Sequence, residues 1–214
     1  MDFVVSVITI SIGSCFGRNL FDNAQMMSGW MPFRKTNCTA LLNEHLPEET
    51  RLEINDGKEI TLVPGLRRLR SEVLDRVGAD TFVVMDTHWE VTFEHIITAH
   101  EKREGIFTSH ELPRGMRQIP YDMPGDPEFA FAVSKEAENR DDTWVLASDD
   151  PYLPIFYGTV NIWSYLKDGP EKWVSVGINQ CGTTEDFLLL GELIGEAALS
   201  LDRKVVLLAS GGLS

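Results

Sequence analysis

The hydrophobic pattern of the chain alternates between two kinds of stretch. Short apolar runs rich in β-branched residues are typical of strands, and apolar residues three and four positions apart are typical of helices. Strands are predicted at 3–10, 81–88, 95–99, 143–149, 172–179 and 204–210, and helices at 65–77, from 127 and from 184. Residues 157–166 are predicted to form a short helix or a buried turn. This alternation predicts an α/β fold: a single domain, 1–214, with a mixed, mostly parallel central sheet flanked by helices.

The ends of the predicted helices carry ordinary boundary residues. Gly78 follows the first helix and is expected to stop it. Asp126 is predicted as the N-cap of the second helix, with Pro127 in its first position. Thr183 precedes two acidic residues, which favour a helix N-terminus because they complement its dipole.

Two stretches lack a periodic pattern. Residues 15–64 are irregular and polar, with a turn predicted at 55–58, and are interpreted as an insertion into the core fold. Residues 100–125 contain Pro113, Pro120 and Pro124 and are predicted to form a long ordered loop.

Composition limits the classes of partner. The chain has 214 residues, 43% of them hydrophobic, and a formal net charge of −14 with a pI near 4.7. Such an acidic surface disfavours nucleic acid and anionic membranes as partners. The three cysteines lack CxxC spacing, which favours a reducing, cytoplasmic location. No apolar run approaches the roughly 18 residues of a membrane span.

Candidate chemistry lies where predicted strands end, the usual ligand edge of an open α/β sheet. His88 follows one strand, Asn179-Gln180 another and Gly211-Gly212 the last. His88 at a rigid strand end could ligate a metal ion, but the residues alone favour a hydrogen-bonded core histidine. For His110, an ordinary solvated loop residue is favoured over a functional role. His95 shares no obvious face with His88.

Other catalytic patterns are weak. There is no GxSxG nucleophile elbow and no phosphate-binding glycine loop. A hydrolase built around Cys15, in "GSCFG", has no supporting spacing. Tyr157 stands before Gly-Thr at a predicted helix start and could equally donate a hydrogen bond into a site or anchor the core.

Five stretches resemble the class III extradiol ring-cleavage dioxygenases of the catalytic B-subunit type, and most resemble their 3,4-dihydroxyphenylacetate 2,3-dioxygenase branch. They occur in the order and spacing of that family, from about residue 65 onward. The stretches are "FVVMDTHW" (82–89), "EGIFTSHELP" (104–113), "IPYDMPGDPEFA" (119–130), "YGTVNIW" (157–163) and "VVLLASGGLS" (205–214).

The resemblance implies a non-haem Fe(II) enzyme that opens a catecholic aromatic acid with O₂ and gives a muconic semialdehyde. It implies two histidines and one carboxylate around the iron, with open positions for the substrates. His88 matches the second histidine ligand, and Tyr157 matches the tyrosine before Gly-Thr in this branch. The family usually associates, so a homo-oligomer or a paired subunit is expected.

The chain departs from the family pattern at the other ligands. Isoleucine, at Ile10 or Ile12, stands where the first iron histidine should end the N-terminal strand. The acid–base histidine would follow Ser214, and the carboxylate ligand would lie further on. The chain is therefore interpreted as incomplete at its C-terminus and is expected to be inactive as given. Nothing in the spacing requires His45 to replace the missing histidine.

A second hypothesis belongs to a different functional class. The chain could be a metal-free, non-catalytic partner subunit that stabilises an active dioxygenase subunit. The isoleucines at positions 10 and 12 favour this alternative, because an alkyl side chain cannot ligate a cation.

Overall fold

A computed structural model describes residues 6–11, 62–110, 117–138 and 140–211, with side chains described from residue 65 to residue 210 within these ranges. Its centre is a six-stranded sheet. The strands are β1 (Ser6–Ser11), β2 (Thr81–Val91), β3 (His95–Thr98), β6 (Val145–Ser148), β7 (Lys172–Asn179) and β8 (Val205–Gly211). Their order in the sheet is β1-β8-β2-β7-β3-β6.

The sheet is mixed and mostly parallel, as the alternating pattern predicts. β8 pairs in parallel with both β1 and β2, and β2 pairs in parallel with β7. β3 is antiparallel to β7 but parallel to the edge strand β6. The carboxyl ends of the four parallel strands β1, β8, β2 and β7 therefore meet at one edge of the sheet.

Four helical segments cover the two faces of the sheet. Helix α1 begins as Leu62–Leu69, continues as a π-helical segment Arg70–Leu74 and ends with Asp75–Val77. The others are α2 (Pro127–Ala137), α3 (Tyr157–Leu166) and α4 (Thr184–Ser200). In the described part of the chain, no helix has the length and apolar character needed to cross a bilayer.

The core has two halves because successive residues of a strand point to opposite faces. Phe82 and Val84 pack with residues of α1 and α3. Val83 packs instead with residues of α2 and α4, such as Phe129 and Leu193. Each fully buried side chain of this size contributes about 1.5–3 kcal/mol of transfer free energy, so both faces of β2 stabilise the fold.

Three predicted helix boundaries are confirmed, whereas α1 begins at Leu62 and not at residue 65. Gly78 ends α1 in the left-handed region at φ 59°. The Asp126 carboxylate accepts a hydrogen bond from the Phe129 N–H at the start of α2. Thr183 and Asp186 form a capping box on α4, and the hydrogen bonds from Thr183 lower the pKa of Asp186.

The prediction that residues 100–125 form a long ordered loop is wrong at two six-residue strands. Strands β4 (Lys102–Phe107) and β5 (Ile119–Pro124) form a separate two-stranded antiparallel sheet. Pro120 and Pro124 are tolerated there because each strand of a two-stranded sheet has one unpaired edge, where no N–H is needed. Residues 111–116 lie outside the described residues.

The predicted insertion at 15–64 also lies outside the described residues, except that α1 already includes residues 62–64. The first predicted strand, 3–10, is described as β1 from Ser6 to Ser11.

Candidate functional site

An irregularity in β2 creates the site at the carboxyl edge of the sheet. Asp86 pairs with Gly177 of β7, but the next pair is Glu90 with Ile178, so three extra residues of β2 lie between these pairs. Such a bulge turns side chains away from the regular alternation of the strand. The strand predicted to end at residue 88 is thus corrected: β2 continues to Val91, and His88 lies within its bulge.

His88 meets Tyr157 at this bulge. The Tyr157 hydroxyl is hydrogen-bonded to His88 Nε2, and the two ring centroids are 4.0 Å apart. The His88 side chain is 24% exposed, so its ring borders solvent instead of lying deep in the core. The structure therefore brings together the two site residues predicted from the sequence, although their chemical roles stay predictions.

A fully buried carboxylate lies beneath His88. Asp86 Oδ2 accepts hydrogen bonds from the Thr159 N–H and the Thr159 hydroxyl, both at 2.7 Å. Asp86 Oδ1 accepts from the His88 N–H at 3.0 Å and lies 3.8 Å from His88 Nδ1. Asp86 thereby connects the strand bulge to the N-terminus of α3.

Gly158 lets the helix approach this carboxylate. A Cβ atom at residue 158 would lie 2.5 Å from Asp86 Oδ1 and 2.6 Å from Ser210 Oγ, closer than real Cβ atoms come to other atoms. The bulge is also fixed to β8, because the Thr87 hydroxyl donates to the Ser210 carbonyl at 2.7 Å. In the Tyr-Gly-Thr sequence, Tyr157 contacts His88, Gly158 leaves room for the Asp86 carboxylate, and Thr159 donates hydrogen bonds to it.

Hydrogen bonds continue from Thr159 across the sheet. The Thr159 and Ser175 hydroxyl oxygens are 3.1 Å apart, and the Ser175 N–H donates to Thr98 Oγ1 at 2.9 Å. All three residues are buried. Because unsatisfied buried polar groups are costly, this network fixes Asp86 in one orientation.

The segment leading to Tyr157 is fixed from two sides. The Arg103 guanidinium donates to the carbonyls of Leu153 and Pro154 at 2.6 and 2.9 Å, and burial lowers the pKa of Arg103. Phe156 stacks on Trp89, with ring centroids 6.1 Å apart and an interplanar angle of 13°. These contacts hold the start of α3 against the β2 bulge.

The other residues proposed for this edge have different partners. The Asn179 amide donates to the Phe93 carbonyl at 2.6 Å, and the Gln180 amide donates to Glu90 Oε2 at 2.5 Å. They secure the chain just after the bulge instead of facing His88. Gly211 ends β8, while Gly212 lies outside the described residues.

Two further histidines have environments away from His88. His95 is buried, packs edge-on against Phe187 at a centroid distance of 5.4 Å and has no hydrogen-bond partner on either ring nitrogen. Burial lowers the pKa of His95, and the negative charge of Asp186 partly opposes this. His100 Nε2 instead lies 2.8 Å from the Asp150 carbonyl oxygen.

Among the described residues, His88 is the one predicted iron ligand at this edge. Among residues 65–110, 117–138 and 140–210, no group of three or more His, Cys, Asp or Glu side chains is arranged to hold a metal ion. His88 could supply one nitrogen ligand. Ile10 of β1 pairs with Ser210 of β8, and Ser210 pairs with Asp86 of β2. Ile10, one of the two positions predicted for the first iron histidine, is therefore level with Asp86 at this edge, two strand spacings or about 10 Å from β2. His45, Cys15 and Ile12 lie outside the described residues.

The sequence interpretation missed the carboxylate and its supporting network. Asp86 interrupts an apolar strand, and Phe156 at the N-cap of α3 provides no side-chain cap. Together, a polar residue in a buried strand and a helix start without its own cap were the available signals. The bond between Asp86 and Thr159, 73 positions apart, depends on tertiary structure.

The chain is similar to known proteins in sequence and in fold. Residues 44–214 match the sequence model of the family described as the catalytic LigB subunit of aromatic ring-opening dioxygenase. The match begins inside the 15–64 segment. It covers well over half of the chain and includes the β2 bulge and the start of α3.

One curated relative and one solved structure extend the comparison. The 3,4-dihydroxyphenylacetate 2,3-dioxygenase of Escherichia coli is 35% identical over 141 residues, covering 64% of this chain and 50% of that protein. An uncharacterized protein from Escherichia coli K12 matches with a TM-score of 0.50 and 18% identity, covering 72% of this chain and 54% of that one. The chain thus spans about half the length of each, and the structural match concerns the fold alone.

Proposed function

Because the chain belongs to the family of catalytic LigB subunits of aromatic ring-opening dioxygenases, we propose that its site serves extradiol cleavage of a catecholic aromatic acid by O₂, giving a muconic semialdehyde. The observation that carries the proposal is the His88 imidazole, presented on a strand bulge against Tyr157 at the carboxyl edge of the sheet. The curated relative acts on 3,4-dihydroxyphenylacetate by its name, which makes that catechol the first substrate to test.

In this proposal His88 is one ligand of Fe(II). Iron, when bound, would supply a Lewis acid that polarises and orients the catechol and O₂. The chain's own contribution is positional: the bulge holds the imidazole at the edge of the sheet, and Tyr157 places a hydroxyl group beside it. That hydroxyl could also donate a hydrogen bond to a catechol oxygen.

We expect the 214-residue chain alone to lack ring-opening activity. Ile10 or Ile12 occupies the position expected for the first histidine, and one imidazole holds a divalent ion too weakly for turnover. Introducing a histidine at residue 10 or residue 12 should then increase the affinity for Fe(II), and His88→Ala should remove the gain.

A metal-free partner subunit is the second candidate. It is favoured by the two isoleucines, because an alkyl side chain cannot ligate a cation. Such a subunit would keep the fold and bind an active dioxygenase subunit while doing no chemistry itself.

The deciding experiment is anaerobic titration with Fe(II), followed by 3,4-dihydroxyphenylacetate or unsubstituted catechol in air. The wild-type chain, Ile10→His, Ile12→His and each histidine variant combined with His88→Ala are compared, with His110→Ala as a control at an exposed histidine. A yellow product or tighter Fe(II) binding that depends on His88 supports the dioxygenase. Fe(II) binding that is absent from every variant, or insensitive to His88→Ala, contradicts it and favours the partner subunit.

The surroundings of the protein are also part of the proposal. The net charge of −14 supports small-molecule chemistry without nucleic acid or membrane partners. The cysteine pattern, with Cys181 exposed and unpaired, supports a cytoplasmic location. A homo-oligomer or a paired subunit is the expected assembly, and size-exclusion chromatography with light scattering tests it.

A further inference from the structure

The two oxygens of Asp86 have different surroundings. Oδ2 is occupied by two donors from Thr159, its backbone N–H and its hydroxyl. Oδ1 faces His88, whose N–H donates to it and whose Nδ1 lies 3.8 Å away. Capping of α3 is therefore carried by Oδ2, whereas the other oxygen is directed at the histidine.

The carboxylate is retained there without a strong cationic partner. In the part of the chain with described side chains, no Lys or Arg forms an ion pair with Asp86, which is fully buried. Burial of a carboxylate is costly unless donors compensate for its lost hydration. The N-terminus of α3 offsets part of that cost, since Phe156 leaves it uncapped by its own residue.

The surroundings of the imidazole favour one tautomer. A neutral imidazole has one N–H and one lone pair, whereas a carboxylate only accepts hydrogen bonds. His88 Nδ1 is buried and has no hydrogen-bond partner, and Asp86 Oδ1 is the acceptor next to it. A proton on Nδ1 is attracted to that oxygen, and Nε2 then accepts a hydrogen bond from the Tyr157 hydroxyl.

We infer that Asp86 is the positioning residue of the site: it orients the His88 ring and keeps the proton on Nδ1, so that the lone pair of Nε2 faces the Tyr157 side. The inference rests on the proposed function in one respect: a free lone pair on His88 Nε2 matters for function only if that nitrogen ligates Fe(II). The orientation itself requires no metal and can be measured in the metal-free chain.

A second buried carboxylate provides a matched control. Asp126 also accepts a threonine hydroxyl, from Thr81 at 2.6 Å, and also lies at a helix N-terminus. It is equally buried, but Lys172 Nζ lies 3.4 Å and Arg203 Nη2 3.9 Å from its Oδ1. Its change to asparagine removes a buried charge of the same kind at the opposite edge of the sheet.

The test is ¹⁵N NMR of the His88 ring in the metal-free chain, at a pH where the ring's own spectrum shows the neutral form. The shifts of the two ring nitrogens separate the two neutral tautomers. In the wild type we expect mostly Nδ1-protonated imidazole. Asp86→Asn should lower the ratio of Nδ1-protonated to Nε2-protonated ring by roughly three- to tenfold, because an uncharged amide attracts the Nδ1 proton less than a carboxylate does.

Thr159→Val provides a second variant in case Asp86→Asn does not fold. It removes one donor from Oδ2, lets the carboxylate turn and should shift the ratio in the same direction by a smaller factor. Asp126→Asn and Thr81→Val should leave the ratio unchanged. An unchanged ratio in folded Asp86→Asn or Thr159→Val, or an equal shift in the Asp126 control, overturns the inference.

Fe(II) titration of the Ile10→His and Ile12→His variants, with and without His88→Ala, separates this inference from the proposed function. If the tautomer ratio depends on Asp86 but His88 contributes nothing to Fe(II) affinity, the positioning role stands and the proposed function fails. If Fe(II) affinity depends on His88 while the tautomer ratio ignores Asp86, the proposed function stands and the positioning role is wrong.

Discussion

Asp86 and Asp126 occupy opposite edges of the same sheet, and their likeness makes their difference informative. Both are fully buried, and each accepts a threonine hydroxyl and a helix N–H. Asp126 lies near Lys172 and Arg203, whereas the ion-pair neighbour of Asp86 among the described side chains is His88.

The difference separates a stabilising carboxylate from an orienting one. At the N-terminal edge, Lys172 and Arg203 balance the charge of Asp126, so this carboxylate mainly increases the free energy of unfolding. At the carboxyl edge, Asp86 is compensated by hydrogen-bond donors and by the N-terminus of α3, and it faces the His88 imidazole. Proteins retain such incompletely compensated groups mainly where function requires them.

The largest expected effect comes from adding a methyl group between α3 and Asp86. Gly158→Ala should lower the free energy of unfolding by about 2–4 kcal/mol, because the new Cβ would overlap with Asp86 Oδ1 and Ser210 Oγ, which cannot easily move. Urea denaturation measures it. Gly191→Ala is the matched control: its Cβ meets nothing within 4 Å, and it should stabilise α4 by about 0.5–1 kcal/mol. Equal costs at residues 158 and 191 would contradict the close approach.

Loss of the stabilising carboxylate ranks second. Asp126→Ala should lower the free energy of unfolding by about 2–3 kcal/mol, because it removes the N-cap of α2 and leaves the Thr81 hydroxyl without its acceptor. Thermal and urea denaturation measure the loss. The ¹⁵N shifts of the His88 ring should stay as in the wild type, and a clear change there would mean that the two edges are not independent.

A smaller difference is expected between the two threonines. Thr81→Val removes a hydroxyl that donates to Asp126 and should cost about 1 kcal/mol. Thr159→Val removes a hydroxyl that contacts both Asp86 and Ser175 and should cost about 2 kcal/mol, since two buried partners lose a contact. Paired urea denaturation tests the order. A larger loss at Thr81 would contradict the network at the carboxyl edge.

The fold was predictable where burial produces a simple pattern. Phe82, Val83 and Val84 are fully buried with neighbouring side chains on opposite faces, so an unbroken apolar run indicates a central strand. β5 was missed because Pro120 and Pro124 resemble loop residues. The sequence does not show that these prolines lie in a two-stranded sheet with unpaired edges.

The candidate site was predictable only in part, and for a different reason. The proximity of His88 and Tyr157 followed from family resemblance, since no periodicity relates positions 69 apart. The bulge after Asp86 depends on how β2 registers against β7, and the clearance at Gly158 depends on how α3 packs. These are tertiary features, which is why Asp86 had no assigned role until the fold was known.

The smallest expected effect concerns acid, and it tests whether the candidate-site edge is also the acid-sensitive edge. His95 begins β3 and, because β3 is antiparallel to β7, lies at the same edge as His88. Burial holds the pKa of His95 below its ordinary value of 6.5. Below pH 6.5 the unfolded chain therefore binds a proton at this residue that the folded chain does not. The free energy of unfolding then falls as the pH drops from 6.5 to the folded-state pKa of His95, and it does not change with this residue above pH 6.5.

Because a single residue titrates, the slope of the free energy of unfolding against pH corresponds to at most one proton. Urea denaturation across this range should show it, and His95→Leu should remove it, since leucine is neutral in both states. If the His95→Leu profile runs parallel to that of the wild type, the acid response has another origin, and the carboxyl edge is no more acid-sensitive than the edge stabilised by Asp126.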